Sequence, residues 1–234
     1  MTDPATNFLT SDGLLPAPLP EDPMPIAAAW LAEATERRVQ PNPNAVVIAT
    51  VDQESQPSAR VVLCKALYPE PGYLVFYTNY QSRKARDLAV NSRVCALFHW
   101  DALGRQVRIE GNAVRSPAEE SDDYFASRPR GSQLGAWASD QSDTIASREA
   151  LLEQLASRAD DLGVAVAGTD VADEGPPIPR PLHWGGYRLW AARVELWVEG
   201  AARIHDRALW ERHLTRESEY AFRCGPWNAT RLQP

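Results

Sequence analysis

Residues 184–207 read WGGYRLWAARVELWVEGAARIHDR. Apolar and polar side chains alternate from Tyr187 to Glu199, small residues gather at Gly200-Ala201-Ala202, and a second short stretch carries Arg203, His205, Asp206 and Arg207. Alternation with period two is the mark of a half-buried strand, and a small-residue turn between two such runs predicts a hairpin and hence an antiparallel sheet. Side chains two apart share a face of a strand, so this reading points Arg203 and His205 the same way and sets them with Trp197 at one end of the sheet. Taken singly, Trp197 reads as a core anchor and the charges as a solvated edge. Two guanidiniums and an imidazole within five positions, beside an indole, instead suit a planar anionic ligand, because Arg forks match phosphate and Trp offers a flat face.

The segments before the hairpin repeat the strand pattern. Residues 45–51 (AVVIATV), 58–66 (SARVVLCKA), 73–78 (YLVFYT), 93–100 (RVCALFHW) and 105–114 (RQVRIEGNAV) are β-branched or aromatic runs separated by turn signals such as Pro71-Gly72 and Gly104. Short connections between them predict antiparallel pairing, in a meander or barrel. After the hairpin, strands are expected at 202–204, 220–224 and 229–232. Helical spacing marks residues 26–38, with Ile26, Trp30, Leu31 and Ala34 on one face, and shorter helices are expected at 82–90 behind Ser82 as N-cap, at 117–127, and at 147–158. Residues 1–25, rich in Pro and in acidic or small residues, read as a mobile N-terminal arm, and the Gly, Pro, Ala and Asp content of 160–181 as a mobile loop. The expected architecture is thus mainly β with flanking helices, one barrel domain over 26–234.

Bulk composition narrows the function classes. The chain has 234 residues, 44% of them hydrophobic, enough for one full core. It lacks both a membrane-length apolar run and a basic-then-apolar leader, which predicts a cytoplasmic protein. Cys64, Cys95 and Cys224 are odd in number and widely spaced, so neither a disulfide framework nor a CxxC metal or redox site is expected. A net charge of −7 argues against a nucleic-acid surface, which needs a basic stripe. An acidic chain that binds phosphate must therefore gather its cations locally.

Only two of the 24 basic side chains are lysines, Lys65 and Lys84. Lys65 closes the run Arg60-Val61-Val62-Leu63-Cys64-Lys65; a regular strand sends Arg60 and Lys65 to opposite faces, so one ligand can meet both only through a bulge or at the strand ends. Lys84 follows Tyr77-Thr78-Asn79-Tyr80-Gln81-Ser82-Arg83, where a strand runs into a helix N-terminus whose free N–H groups favour an anion. No glycine-rich phosphate loop exists in the chain, so side chains must do most of the holding. Gln106 lies in a strand beside Arg105 and Arg108, Gln141 and Ser142 offer an amide and a hydroxyl, and Tyr124, Arg128 and Ser132 recur every four residues as on one side of a helix.

In order and at similar spacing, RVVLCK, YTN followed by SRK, RQV, YFASRPRGSQLGAWASDQS, WGGYR, and VELW with RIHDR resemble the pyridoxamine 5'-phosphate oxidase family over about residues 26–234. The resemblance implies a homodimeric, antiparallel FMN-binding split β-barrel with FMN at the subunit interface. It implies oxidation of pyridoxamine or pyridoxine 5'-phosphate to pyridoxal 5'-phosphate, with O2 as acceptor and H2O2 as product. Carried over by motif, FMN would meet Arg60, Val61, Val62, Leu63, Cys64, Lys65, Tyr77, Thr78, Arg83, Lys84, Gln106, Gln141, Ser142, Trp197 and Arg207. The substrate phosphate would meet Lys65, Tyr124, Arg128 and Ser132, and Arg203 and His205 would flank the substrate ring as catalytic residues. Two other readings stand beside this one: a split-barrel flavin oxidase of the phenazine type, and a non-catalytic module that binds flavin or a B6 phosphate.

Overall fold

Alternating burial along residues 45–51 shows how the barrel begins: Val46, Ile48 and Thr50 point inward while their neighbours are half-exposed. In this computed structural model, which describes residues 13–172 and 174–234, α1 (Met24–Glu36) precedes β1 (Ala45–Val51), β2 (Pro57–Leu63), β3 (Ala66–Tyr68), β4 (Tyr73–Asn79), α2 (Arg83–Val90), β5 (Arg93–Trp100) and β6 (Arg105–Arg115). Three helices follow, α3 (Ala118–Ala126), α4 (Arg130–Ala138) and α5 (Arg148–Asp161), then the small hairpin β7 (Val166–Ala167) and β8 (Asp170–Val171). The chain ends with β9 (Trp184–Val198), β10 (Asp206–Glu211), β11 (Leu214–Arg216), β12 (Phe222–Cys224) and β13 (Asn228–Leu232).

Every strand pair is antiparallel. β1 lies between β2 and β5, β5 pairs with β6, and β6 pairs with β9. The other edge of β9 is shared: Trp184 to Trp190 pair with β4, and Arg193 to Val198 pair with β10. β4 in turn pairs with β3, which continues β2 through Cys64 and Lys65, so the ring returns to β1. The fork along β9 is the split of the barrel.

The interior holds Trp30, Phe76, Phe98, Trp100, Ile109, Leu189 and Leu196, each at most 1% exposed. Trp100 Nε1 donates to Pro43 O at 2.8 Å, and Arg105 reaches Glu33 of α1 at 2.5 Å with its guanidinium over the Trp30 ring. α1 is thereby pinned to β6. A second cluster, with Phe125, Leu134, Ala159, Val164, Ile178 and Trp184, packs the three later helices against the start of β9.

Several expected segments differ in detail from the observed ones. Residues 1–12 of the expected arm lie outside the described residues, but residues 13–23 lie against the sheet: Leu15 is 1% exposed, its N–H donates to Asp206 Oδ2 at 2.8 Å, and Trp210 Nε1 donates to Pro20 O at 2.8 Å. The helix begins at Met24, two residues early, behind Pro23 at the N-cap, and the Asp22 carboxylate accepts the Met24 N–H at 2.8 Å. Residues 160–181 include the small hairpin β7–β8. Val164 and Ile178 enter the second cluster, and Arg130 donates to the Ala172 and Pro176 carbonyls, tying the small hairpin to α4.

Residues 202–204 form no strand. Residues 201–203 make a tight turn, with Ala202 and Arg203 in the left-handed region at φ 54 and 64, and the strand starts only at Asp206. Arg203 and His205 therefore share a turn, not a strand face. Finally, the four-residue recurrence of Tyr124, Arg128 and Ser132 does not run along one helix, because Pro129 ends α3 and opens α4.

Candidate active site

β2, β4, the N-terminal end of α2 and the α3–α4 corner enclose a cleft of about 900 Å³. Arg60, Lys65, Arg83, Lys84 and Arg128 line it, and among the described residues no carboxylate does. In a chain of net charge −7, five cations without a lining acid make a strongly anion-attracting concavity.

Each cation is set by local structure. Arg60 reaches across to β1, donating to Ile48 O at 3.0 Å and Thr50 Oγ1 at 2.8 Å, and within its own strand donates to Ser58 Oγ at 2.8 Å, with buried Asp87 at 3.8 Å. Lys65 follows the end of β2, which is how it shares a cleft with Arg60 despite the odd spacing, and its ammonium lies 5.7 Å from the Tyr124 ring. Lys84 is buried, and its Nζ donates to Thr78 Oγ1 at 2.9 Å, Ser82 Oγ at 3.0 Å and Gln141 Oε1 at 2.7 Å. Burial, and then repulsion from Arg60, lowers its pKa to about 8 although Asp87 opposes the shift. Ser82 holds the N-cap position of α2, but its hydroxyl donates back to Asn79 O instead of capping the helix.

The other end of the cleft is aromatic. Tyr77 and Tyr124 stack with ring centroids 3.9 Å apart, Tyr77 stacks on Trp184 at 5.4 Å, and Arg128 covers Trp184 at 4.5 Å. Arg128 Nη1 is buried without a hydrogen-bond partner among the described residues, and burial lowers the guanidinium's pKa. A buried donor left unpaired is costly, so an anion accepted here would meet a demand already in place.

The cleft collects Arg60, Val61, Val62, Leu63, Lys65, Tyr77, Thr78, Arg83 and Lys84 from the first half of the chain. From the second half come Tyr124, Arg128, Ser132, Gln141 and Ser142. Cys64 does not join them: it is 3% exposed, its thiol donates to Ala66 O, and burial pushes its pKa up to about 12. Gln106 and Trp197 are also elsewhere. They line a separate cavity of about 140 Å³ with Leu97, Arg108 and Glu195.

Arg207 belongs with this second group. Register sets Gln106 and Arg207 opposite Trp197 on its two flanking strands. His205 packs its ring 4.5 Å from Trp197 and accepts the Gly200 N–H at Nδ1, which leaves the proton of the neutral ring on Nε2. Arg203 stands exposed on the adjacent turn. One chain thus carries two separate groups, a cationic cleft and a Trp197-centred face.

Sequence reasoning missed Trp184 and Glu195. Trp184 was legible in retrospect, since Gly185 and Gly186 beside it let the Tyr80 hydroxyl and Ser116 come within 2.2 and 2.5 Å of where a Cβ would stand. Glu195 offered a weaker signal, a carboxylate two residues from Trp197 in a strand whose neighbours are apolar.

Residues 32–158 match the sequence model of the pyridoxamine 5'-phosphate oxidase family, and residues 184–234 match the pyridoxine 5'-phosphate oxidase C-terminal dimerisation region. The chain belongs to the pyridoxamine 5'-phosphate oxidase family. Its relatives in that family include a pyridoxine/pyridoxamine 5'-phosphate oxidase of Rubrobacter xylanophilus, 45% identical over 97% of this chain and 91% of the relative. Another, from a Ruegeria species, is 40% identical over 92% and 95%. Among solved structures, PhzG from Burkholderia lata, in complex with tetrahydrophenazine-1-carboxylic acid, superposes with a TM-score of 0.75 at 31% identity, covering 93% of this chain and 95% of that one. An FMN-binding protein of Nostoc punctiforme has a TM-score of 0.60 at 15% identity, covering 87% and 95%, a likeness of fold. The split barrel expected of the family is the architecture observed. Among the described residues no helix is long and apolar enough to cross a membrane, and no three His, Cys, Asp or Glu side chains gather as a metal site.

Proposed function

We propose that this chain is a cytoplasmic, FMN-dependent oxidase that converts pyridoxamine or pyridoxine 5'-phosphate to pyridoxal 5'-phosphate, with O2 as acceptor and H2O2 as product. The observation that carries this reading is the cleft lined by five cations and, among the described residues, no carboxylate, with two separate phosphate-type donor sets and an aromatic wall. Family membership and relatives of 40–45% identity support the same reaction.

The residues fit a flavin phosphate and a substrate phosphate together. Lys84, Arg60, Arg83, Thr78, Gln141 and Ser142 would hold the first, with the backbone and side chains of residues 61–63 and Tyr77 alongside. Lys65, Tyr124, Arg128 and Ser132 would hold the second. When bound, FMN would supply the chemistry of taking a hydride from the substrate carbon and passing electrons to oxygen. The protein's task is to align the ring and exclude water. Arg203 and His205 would grip the ring's reacting side, with His205 oriented by Gly200. Because Gln106, Trp197 and Arg207 lie on a different face from the cleft, the complete site needs two copies of the chain, and the match of 184–234 to a dimerisation region supports a homodimer.

The test is direct. Purified protein supplied with FMN should turn yellow, behave as a dimer, and release peroxide and a carbonyl product with pyridoxamine 5'-phosphate. The likeness to PhzG favours one rival, oxidation of an unphosphorylated ring system. Equal turnover of pyridoxamine with and without its phosphate would favour that rival, and flavin binding without any turnover would favour a carrier.

The turn that bears Arg203 gives a second expected result. A Cβ on Gly200 would stand 1.8 Å from Ile204 O, a backbone atom, so Gly200→Ala must open the turn. Turnover should fall by about tenfold to a hundredfold through misplacement of Arg203 and His205. FMN affinity should change much less. Wild-type turnover in the alanine variant, measured under saturating substrate, would show that the turn's geometry does not matter.

A further inference from the structure

We infer that Glu195 is the positioning residue that fixes Arg207 on the Trp197 face, so that the flavin-binding strength of this half-site depends on a carboxylate that need not touch flavin. The inference rests on the proposed function. Glu195 lies two residues before Trp197 in β9, so both project from one face. Arg207 stands opposite Trp197 on β10, and Arg108 stands opposite Glu195 on β6.

The carboxylate is 6% exposed and fully engaged. Its Oε1 accepts from Arg207 Nε at 2.9 Å and pairs with the same guanidinium's second nitrogen at 2.8 Å. Oε2 accepts from Arg108 Nη2 at 2.5 Å. Arg207 Nη1 then donates to Gln233 O at 2.9 Å, near the C-terminus. Arg108 has a second carboxylate, Glu110, at 3.1 Å, whereas Glu195 is the only carboxylate the structure pairs with Arg207 among the described residues. An arginine held on both sides before a ligand arrives loses less side-chain freedom on binding, which is why removal of its anchor should weaken binding without removing the cation.

The experiment compares Glu195→Gln, Arg207→Ala and the double variant. FMN dissociation constants come from quenching of flavin fluorescence, and folding is followed by melting temperature and dimer mass. Glu195→Gln is expected to weaken FMN about tenfold, with the KM of reconstituted enzyme for pyridoxamine 5'-phosphate within about threefold of wild type. The double variant should bind FMN no more weakly than Arg207→Ala alone, since one residue acts through the other. Additive losses, or an unchanged constant in Glu195→Gln, overturn the inference. Unchanged binding in Arg207→Ala instead sinks the flavin reading of this face. Should Glu195→Gln not fold, Glu195→Asp takes its place: its shorter carboxylate cannot span both guanidiniums, and wild-type FMN affinity in that variant also overturns the inference.

Discussion

Replacing Arg128 by alanine is expected to raise KM for pyridoxamine 5'-phosphate by about tenfold to a hundredfold, because a charge-assisted contact contributes about 1.5–3 kcal/mol. The guanidinium is already desolvated, stacked on Trp184 and short of one hydrogen-bond partner, so the protein has met the cost of its burial before the substrate arrives. FMN affinity should stay nearly constant, since the Lys84 group is held by different elements, β4 and α2. Arg128→Lys should recover only part of the loss: an ammonium keeps the charge but not the planar fork or the stack on the indole. The comparison is made with initial rates on phosphorylated and unphosphorylated pyridoxamine. A rise in KM of the same size for both substrates would remove Arg128 from the phosphate site.

Lys84 governs a pH dependence of comparable size. Its pKa is lowered to about 8 by burial, against about 10.4 in an unfolded chain. An anion needs the ammonium form, which predominates at pH 7 and is lost as pH rises through 8. FMN affinity should therefore fall above about pH 8, approaching tenfold per unit, until other groups intervene. Stability of the FMN-free protein should move the other way. Between about pH 8 and 10.4 the unfolded state binds the proton that the folded state has released, so this group's contribution to stability rises with pH over that window. Lys84→Met should abolish both trends and weaken FMN by about tenfold to a hundredfold at pH 7. Fluorescence titrations across pH 6.5–9.5 decide the matter, and a flat wild-type profile would refute the role given to Lys84.

Much of this could be read from residues alone. The runs 45–51, 73–78 and 93–100 have strand periodicity strong enough to give the antiparallel class, because period-two alternation is imposed by the pleat itself and needs no knowledge of partners. The cations at 60, 65, 83, 84 and 128 could be singled out because charges beside apolar runs are conspicuous. Their joint membership in one cleft came from resemblance, not from periodicity. The helical lineup offered for Tyr124, Arg128 and Ser132 reached the correct convergence by a wrong route, since Pro129 breaks the helix and the corner between α3 and α4 brings them together.

Sequence by itself determined the strands around 45–51, 58–63, 73–78, 93–100, 105–114 and 187–198, the antiparallel class, the helix of Trp30 and the inventory of anion-binding side chains, all consequences of local spacing and residue chemistry. Only the tertiary structure decided that residues 201–203 turn instead of extending, that Leu15 docks beside Asp206, that Cys64 faces the core, and that Gln106, Trp197 and Arg207 lie apart from the cationic cleft. Those outcomes depend on pairings between residues far apart in the chain, such as Leu15 with Asp206, 191 positions away, where the energy of a contact exists only once both partners have been brought to the same place.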